Sequence, residues 1–143
     1  MLFRSDSIFI ETFQPMAAPN TELLAKWARI RAVRDVANKE IEALRAAGTV
    51  GSSLQAELRV TAAADDHTAL ASLGEDLKFV LMTSAVALQT GDALAVQVRA
   101  RAAQKCERCW HWREDVGHDA AHPTLCGRCT SNLYGAGEVR TAA

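Results

Sequence analysis

Two pairs of cysteines are the residues of this sequence best suited to chemistry. Cys106 and Cys109 form one C-x-x-C pair, Cys126 and Cys129 form a second, and sixteen residues lie between the pairs. Cysteines three positions apart on a tight turn can direct both sulfurs at one metal ion, and a connection of this length lets the second pair complete a tetrahedron. The spacing therefore predicts a site for one Zn²⁺ ion, with Gly127 giving the second turn its freedom in φ.

Other chemistries of four cysteines remain open at this point. We expect no disulfides, since the sequence has no signal peptide. A thioredoxin-like site would need a single pair at the start of a helix in a βαβ unit. An iron–sulfur cluster also takes four thiolates, and His122 could replace one thiolate. With zinc, four thiolates leave no position for an activated water, so we expect a structural metal and no catalytic residue.

Arginines and tryptophans lie among the predicted ligands. Arg108 and Arg128 occupy the same place in the two pairs, and Trp110 directly follows Cys109. They could neutralise and cap a small metal domain, since a Zn(Cys)4 centre carries about two negative charges. They could also form a nucleic-acid surface, because guanidinium groups bind phosphates and an indole stacks on a base. Trp112 is expected to face the other way, so that one tryptophan of the two is core.

Composition and charge limit the classes of function. The chain has 143 residues, is 49% hydrophobic and 23% charged, and has a net charge of −1. Nucleic-acid affinity must therefore come from local patches, and residues 99–113 carry five Lys and Arg residues against one acid. No apolar run is long enough to span a bilayer. We expect a cytoplasmic, monomeric protein without a membrane partner.

A long helix is predicted over residues 20–47. Asn20 or Thr21 can cap it, and Gly48 can end it. Arg34 lies in register with an otherwise apolar seam, so it must pair, reach solvent or face a ligand. The seam itself contains Leu23, Trp27, Ile30, Ala37, Ile41 and Leu44.

A small α+β unit is predicted to follow the helix, with one buried sheet face. A strand is expected at 54–62 and a short helix at 67–73 capped by Asp66. Further strands are expected at 79–82, 85–88 and 94–102. Outside these elements, we expect a β-prone segment at 7–13 and a flexible tail at 134–143.

The finger segments CERCWHWREDVG and LCGRCTSNL resemble the carboxyl-terminal zinc finger of bacterial isoleucyl-tRNA synthetases. A related finger closes formamidopyrimidine-type DNA glycosylases, but the tryptophan after the second cysteine and the CGRC-x-SN ending favour the synthetases. The resemblance extends from Ile8 to Arg140. It includes Trp27, Val33-Arg34, Lys39-Glu40-Ile41-Glu42, Arg45, the segment VGSSLQA at 50–56 and the segment GEDLKFVL at 74–81.

The resemblance implies a carboxyl-terminal piece of a class I aminoacyl-tRNA ligase, here isoleucine–tRNA ligase. The implied fold class is α+β: a long helix from a helical bundle, a small mixed α/β unit with a short sheet, then a four-cysteine zinc finger. The corresponding domains are the end of an anticodon-binding domain (1–51), the small α+β domain (52–104), and the finger with its flexible tail (105–143). The catalytic signatures H-I-G-H and K-M-S-K-S are absent, so ATP is expected only for the full-length enzyme.

The implied partners are the tRNA for isoleucine and the remainder of the synthetase chain. The implied contacts with tRNA are Trp110 as a stacking platform, Arg108 as its phosphate or base partner, and Arg34 and Arg128 as further contacts. Two other classes remain open. One is a DNA-lesion enzyme, which would need an amino-terminal catalytic proline where this sequence begins Met-Leu-Phe-Arg. The other is a zinc-finger module that binds nucleic acid or protein.

Overall fold

The computed structural model describes Phe9, Phe13 and residues 15–138. Its first large element is helix α1, Thr21–Ala46. Asn20 caps it, because its side chain accepts a hydrogen bond of 2.9 Å from the Leu23 N–H. The predicted helix is confirmed. Its buried stripe differs from the predicted seam: Val33 belongs to it, whereas Leu23 is 47% exposed. The buried residues are Ile30, Val33, Ala37 and Ile41.

A three-stranded sheet follows, with β1 (Ala56–Ala62) in its centre. Strand β2 (Ala85–Thr90) lies parallel to β1, and β3 (Ala95–Ala100) lies antiparallel to it. A single turn of 3-10 helix over Ser53–Gln55 leads into β1. The predicted strands at 54–62, 85–88 and 94–102 are confirmed with small shifts of their ends.

Two helices connect β1 to β2, because parallel strands need a long crossover. Helix α2 spans Ala64–Ala71, and α3 spans Leu77–Val80 after a 3-10 turn over Gly74–Asp76. The predicted cap at Asp66 is wrong. The helix begins at Ala64, so Asp66 lies in its first turn, where its carboxylate accepts a 2.9 Å hydrogen bond from Arg29 of α1.

The predicted strand at 79–82 is also wrong. Phe79 and Val80 end α3, and Met82 adopts a left-handed conformation with φ of 56° that stops the helix. A short apolar run has no period that separates a strand from a buried helical turn, which explains the error.

One apolar core joins α1, α2 and α3 to a single face of the sheet, and it confirms the predicted one-sided burial. Leu58 of β1 lies beside Val86 and Val98 of its neighbours, and the helices cover that face. The division of the chain at residues 51 and 104 stays a prediction. The fully buried members of the core are Ile30, Val33, Ala37, Ile41, Ala56, Leu58, Val60, Ala62, Ala69, Leu70, Leu77 and Leu81.

The remaining elements form a separate small unit after residue 103. Strands β4 (Gln104–Lys105) and β5 (Trp112–Arg113) pair as a short hairpin, and helix α4 spans Gly127–Tyr134. Tyr134, predicted to begin the tail, therefore ends a helix. The segment 135–138 returns to α4, since Arg128 holds Glu138 through two hydrogen bonds of 2.6 Å.

The predicted segment at 7–13 and the end of the tail, 139–143, lie largely outside the described residues. Among the helices that the structure describes, none combines the length and the apolarity needed to cross a bilayer.

Candidate metal centre

The first cysteine pair lies on the turn that joins β4 to β5. The Cys106 N–H donates to the His111 carbonyl at 2.9 Å, and the Trp110 N–H donates to the Cys106 carbonyl at 2.9 Å. These two hydrogen bonds close a tight turn, so that the side chains of Cys106 and Cys109 point to the same side.

The second pair lies at the start of α4. Cys126 is the N-cap residue, Cys129 lies in the first turn, and the Cys126 N–H donates to the Cys106 Sγ at 3.4 Å. Gly127 does not have a positive φ, and the constraint on a larger residue there is one of space. A Cβ atom there would lie 3.0 Å from the carboxylate of Asp115, which accepts the Gly127 N–H at 3.1 Å. The predicted role of Gly127 is therefore corrected.

The four sulfurs converge. The Sγ atoms of Cys106, Cys109, Cys126 and Cys129 all lie within 4.8 Å of one another, and none is in a disulfide. The Sγ atoms of Cys109 and Cys126 are 3.7 Å apart. A tetrahedral zinc ion with Zn–S bonds of about 2.3 Å places its sulfurs about 3.8 Å apart. The donor set therefore fits such an ion.

Burial sets the protonation of these thiols. It raises the pKa of Cys109 and of Cys126. Burial acts on Cys106 in the same direction, but backbone N–H groups of Cys109, Cys126 and Arg108 lower the pKa of its thiol to about 6. Buried thiols that resist ionisation need a cation to become thiolates together, and coordination to a dication deprotonates a thiol. The electrostatics therefore favour a metal site.

His122, the other candidate ligand, lies elsewhere in the finger. Its ring stacks on the ring of Tyr134, with centroids 3.8 Å apart and an angle of 6° between the planes. Among the described residues, the group able to hold a metal contains the four cysteines alone.

Two predicted RNA contacts, Arg108 and Arg128, surround the cysteines and make contacts within the protein. Arg108 directs its Nη1 atom at the Cys129 Sγ, 3.7 Å away. Arg128 lies 4.8 Å from the Phe79 ring centroid, and its hydrogen bonds to Glu138 raise its pKa. The contact of Arg108 with the Cys129 sulfur agrees with the neutralising role that the sequence left open, whereas the guanidinium of Arg128 is paired with the Glu138 carboxylate.

Trp110 projects from the first turn into solvent. It is 60% exposed, and its φ of 64° is rare for a bulky residue. The Lys105 Nζ atom lies 5.7 Å from its ring centroid. Trp112 is half-buried but belongs to neither core of the described residues, so the expectation that one of the two tryptophans is core is not met. That the two indoles face opposite ways stays a prediction. An exposed indole beside a cation offers a platform for a planar ligand.

Arg34 lies on α1, where its guanidinium contacts the α+β unit. Its Nη2 atom is 3.5 Å from the Met82 Sδ, and its buried Nε atom has no hydrogen-bond partner among the residues that the structure describes. The structure thus groups Trp110, Arg108 and Arg128 around the cysteines and gives Arg34 a different setting.

Ser84 and Phe79 hold the finger on the α+β unit, and sequence reasoning missed both. Ser84 donates to the Leu54 carbonyl and accepts the Trp112 N–H at 2.7 Å. Phe79 meets the ring of His111 edge-on, with centroids 5.3 Å apart. The available signal was the position of Ser84 at a turn beside an apolar segment, which does not reveal a contact 28 residues away.

Arg101 adds an ionic link between the same two units. Its guanidinium contacts Glu57 of β1 at 2.9 Å and Glu114 of the finger at 3.1 Å. Arg101 therefore joins the finger to the sheet, in addition to Ser84 and Phe79.

Comparison with known proteins gives one family and several relatives. Residues 103–132 match the family described as "Zinc finger found in FPG and IleRS". The chain is 54% identical to the isoleucine–tRNA ligase of Azoarcus sp. (strain BH72) over 98% of its own length and 16% of that protein. It is 54% identical to the ligase of Ralstonia pickettii (strain 12J), over 97% of the chain and 15% of that protein. It is 51% identical to the ligase of Bordetella pertussis (strain Tohama I), over 96% of the chain and 15% of that protein.

The chain thus spans about a sixth of the length of the curated relatives it matches. The resemblance drawn from the sequence is confirmed on both counts, the finger and the longer segment around it. Residues 103–132 carry the zinc finger found in FPG and IleRS, and the chain as a whole is similar to one segment of the isoleucine–tRNA ligases.

Proposed function

We propose that this chain is the tRNA-binding carboxyl-terminal part of an isoleucine–tRNA ligase, and that it contacts the anticodon end of the tRNA through a structural zinc finger. The observation that carries the proposal is the convergence of four thiols immediately beside the exposed Trp110. The similarity to isoleucine–tRNA ligases supports it.

One Zn²⁺ ion, bound by Cys106, Cys109, Cys126 and Cys129, has a structural role here. Four thiolates complete its coordination, so its chemistry is to fix the finger and not to activate water. The turn that carries Cys109 also carries Trp110, and a rigid turn holds the indole in one direction. Such a platform loses little entropy when a base stacks on it.

The whole ligase would attach isoleucine to its tRNA with ATP, in domains outside this chain. Holding the anticodon end positions the acceptor end at a distant active site, and misplacement of a reacting group is costly in rate. The partners are the tRNA for isoleucine and the remainder of the ligase chain, in a monomeric cytoplasmic enzyme.

The arginines have graded roles in this proposal. Arg108 lies on the same turn as Trp110, so a phosphate or base edge bound near the indole is within its reach. Arg128 and Arg34 contact RNA less directly. Arg128 donates hydrogen bonds to Glu138, and Arg34 lies on α1 beside Met82.

A gel-shift experiment tests the proposal. The zinc-loaded chain is titrated into the tRNA for isoleucine and into duplex DNA of equal length, each with and without a chelator. We expect binding to the tRNA that is lost on chelation, and one zinc per chain by elemental analysis. Tighter binding to duplex DNA would favour the glycosylase-type function. Binding to neither nucleic acid would favour a protein-interaction module.

A further inference from the structure

The sheet has an open face, opposite the one that α1 and α2 cover, and this face carries a shallow groove. Successive residues of a strand alternate between the two faces, so the residues flanking the buried ones point into it. The groove has a volume of about 430 Å³. Its lining includes Glu57, Arg59, Ala87, Gln97, Arg99 and Arg101.

The groove has an excess of positive charge, with three guanidinium groups against one carboxylate. The Glu57 carboxylate forms ion pairs with the Arg99 Nε atom and with the Arg101 Nη1 atom. The Arg99 side chain is 75% exposed, which leaves its terminal amino groups in solvent. Arg59 is exposed and makes no ion pair within the part of the chain that the structure describes. This local excess stands out in a chain of net charge −1.

The chemistry of the groove matches a phosphate backbone. Exposed guanidinium groups bind phosphate oxygens bidentately, and the small side chain of Ala87 lets a polynucleotide approach the sheet. A protein partner would need large apolar or aromatic anchors and few charges at the centre of the interface. The exposed large apolar side chains of the described residues lie outside the strands of this sheet.

The groove continues toward the finger. Arg101 lies in the groove and contacts Glu114 of the finger. Lys105 lies four positions after Arg101, and its Nζ atom is 5.7 Å from the Trp110 ring centroid. A chain of four residues spans at most about 14 Å. One RNA molecule can therefore reach both surfaces.

We propose that the open face of the sheet is a second RNA-binding surface, on which Arg59 and Arg99 bind phosphates of the tRNA whose base stacks on Trp110. This inference rests on the proposed function and adds to it a phosphate-binding track outside the zinc finger. The track contributes affinity without sequence preference, because backbone phosphates carry no sequence information.

The test is the salt dependence of tRNA binding by the zinc-loaded chain. The double variant Arg59→Gln/Arg99→Gln is expected to make the negative slope of log affinity against log salt shallower by about 1.4 to 1.8. It should also weaken the affinity at about 0.1 M salt roughly 30-fold. Arg59→Gln alone should give about half of the change in slope. Arg59→Lys/Arg99→Lys should keep the slope, because the charges remain. The matched control is Arg31→Gln/Lys39→Gln, which removes two charges from exposed positions of α1.

The outcomes separate this inference from the function on which it rests. If the Gln double variant binds as the wild type does while Trp110→Ala binds more weakly, the groove proposal is overturned and the finger proposal stands. An equal loss in the α1 control would also overturn it, since the effect would then be one of total charge. If the wild-type chain does not bind tRNA, both proposals fail.

Discussion

Trp110 combines high exposure with a left-handed backbone conformation. Its φ of 64° is imposed by the turn between Cys106 and His111, where its N–H donates to the Cys106 carbonyl. A left-handed conformation costs a residue with a Cβ atom about 1–2 kcal/mol. A glycine would fit this turn without strain, so the indole is present at a cost in stability. The proposed role of Trp110 in tRNA binding would explain that cost.

Two variants separate the two properties of Trp110. Trp110→Ala keeps the backbone strain and removes the indole, whereas Trp110→Gly removes both. We expect each to weaken tRNA binding by about 1–3 kcal/mol. The glycine variant should also be about 1 kcal/mol more stable than the alanine variant. Fluorescence titration with the tRNA measures the first effect, and urea unfolding of the zinc-loaded chain measures the second.

Tyr134 provides the control for Trp110. It is a second exposed aromatic residue of the finger, 63% accessible, and it stacks on His122. Tyr134→Ala should leave tRNA affinity unchanged. Wild-type affinity in both Trp110 variants, with zinc retained, would assign the indole a purely structural role.

The sequence was sufficient to predict that the four cysteines cluster and insufficient to predict the environment of the arginines. The four cysteines follow from spacing alone, because the geometry of a thiolate tetrahedron requires closely spaced pairs. The bidentate partner of Arg128 is Glu138, in a segment with the composition of a tail. Local composition does not reveal such a contact, since it depends on how 135–138 turns back over α4.

Helices α1 and α3 end in the same hydrogen-bonded motif, but the residue with positive φ is Gly48 after α1 and Met82 after α3. After α1, the Gly48 N–H bonds to the Arg45 carbonyl and the Thr49 N–H to the Leu44 carbonyl. After α3, the N–H groups of Met82 and Thr83 bond in the same pattern to the carbonyls of Phe79 and Lys78. Both ends are Schellman motifs, which need a left-handed residue. Glycine marked the end of α1 in the sequence, whereas methionine gave no such mark, and α3 was predicted as a strand.

Substitutions at Gly48 and Met82 should change the free energy of unfolding in opposite directions. Gly48 has φ of 71° with open space around it, so Gly48→Ala should lower the free energy of unfolding by about 1 kcal/mol through backbone strain alone. Met82→Gly should raise it by about 0.5 kcal/mol, as relief of strain exceeds the added entropy of the unfolded chain. Urea unfolding followed by circular dichroism measures both. A loss of stability in Met82→Gly would mean that the contact with Arg34 outweighs the strain.

Ser84 links the α+β unit to the finger, and its removal should affect both. Ser84→Ala leaves the Trp112 N–H and the Leu54 carbonyl without their partner in a buried site, at a cost of about 1–3 kcal/mol. Urea unfolding of the zinc-loaded chain measures the loss. Ser72→Ala is the matched control, since within the described part of the chain the Ser72 hydroxyl bonds to the nearby Ala69 carbonyl alone. An equal change in both variants would contradict a special role for Ser84.

At the scale of the whole molecule, the described residues form two cores of different chemistry. The larger core is apolar and joins α1 to the sheet. The smaller one contains Cys106, Val116, Cys126 and Cys129, with Cys109 and Leu125 at its edge. A cluster so poor in hydrocarbon cannot offset the chain entropy of about 30 ordered residues, so its free energy of folding must come from the metal.

Removal of the metal should therefore unfold one part of the molecule and leave the other. With chelator, we expect the finger to lose its fixed structure while α1 keeps its helical signal, because the apolar core needs no metal. Cys109→Ser should act in the same way, since one lost thiolate opens the coordination sphere. Far-ultraviolet circular dichroism reports α1. Near-ultraviolet dichroism reports the finger when it is measured in a Trp27→Phe background, because Trp27 lies on α1 whereas Trp110 and Trp112 lie in the finger. The tRNA affinity should fall with the finger signal and return when zinc is added back to the wild type.

The contacts between the two cores decide how complete this separation is. Ser84, Phe79 and Arg101 cross from one unit to the other, so unfolding of the finger removes buried hydrogen bonds and an ion pair from the α+β unit. We expect the midpoint of α1 unfolding in urea to fall on chelation, with a smaller fall in Ser84→Ala, where part of this coupling is already lost. Equal shifts in the two proteins would mean that the units are energetically independent. Retention of the indole signal and of tRNA binding in metal-free protein would contradict a structural role for zinc.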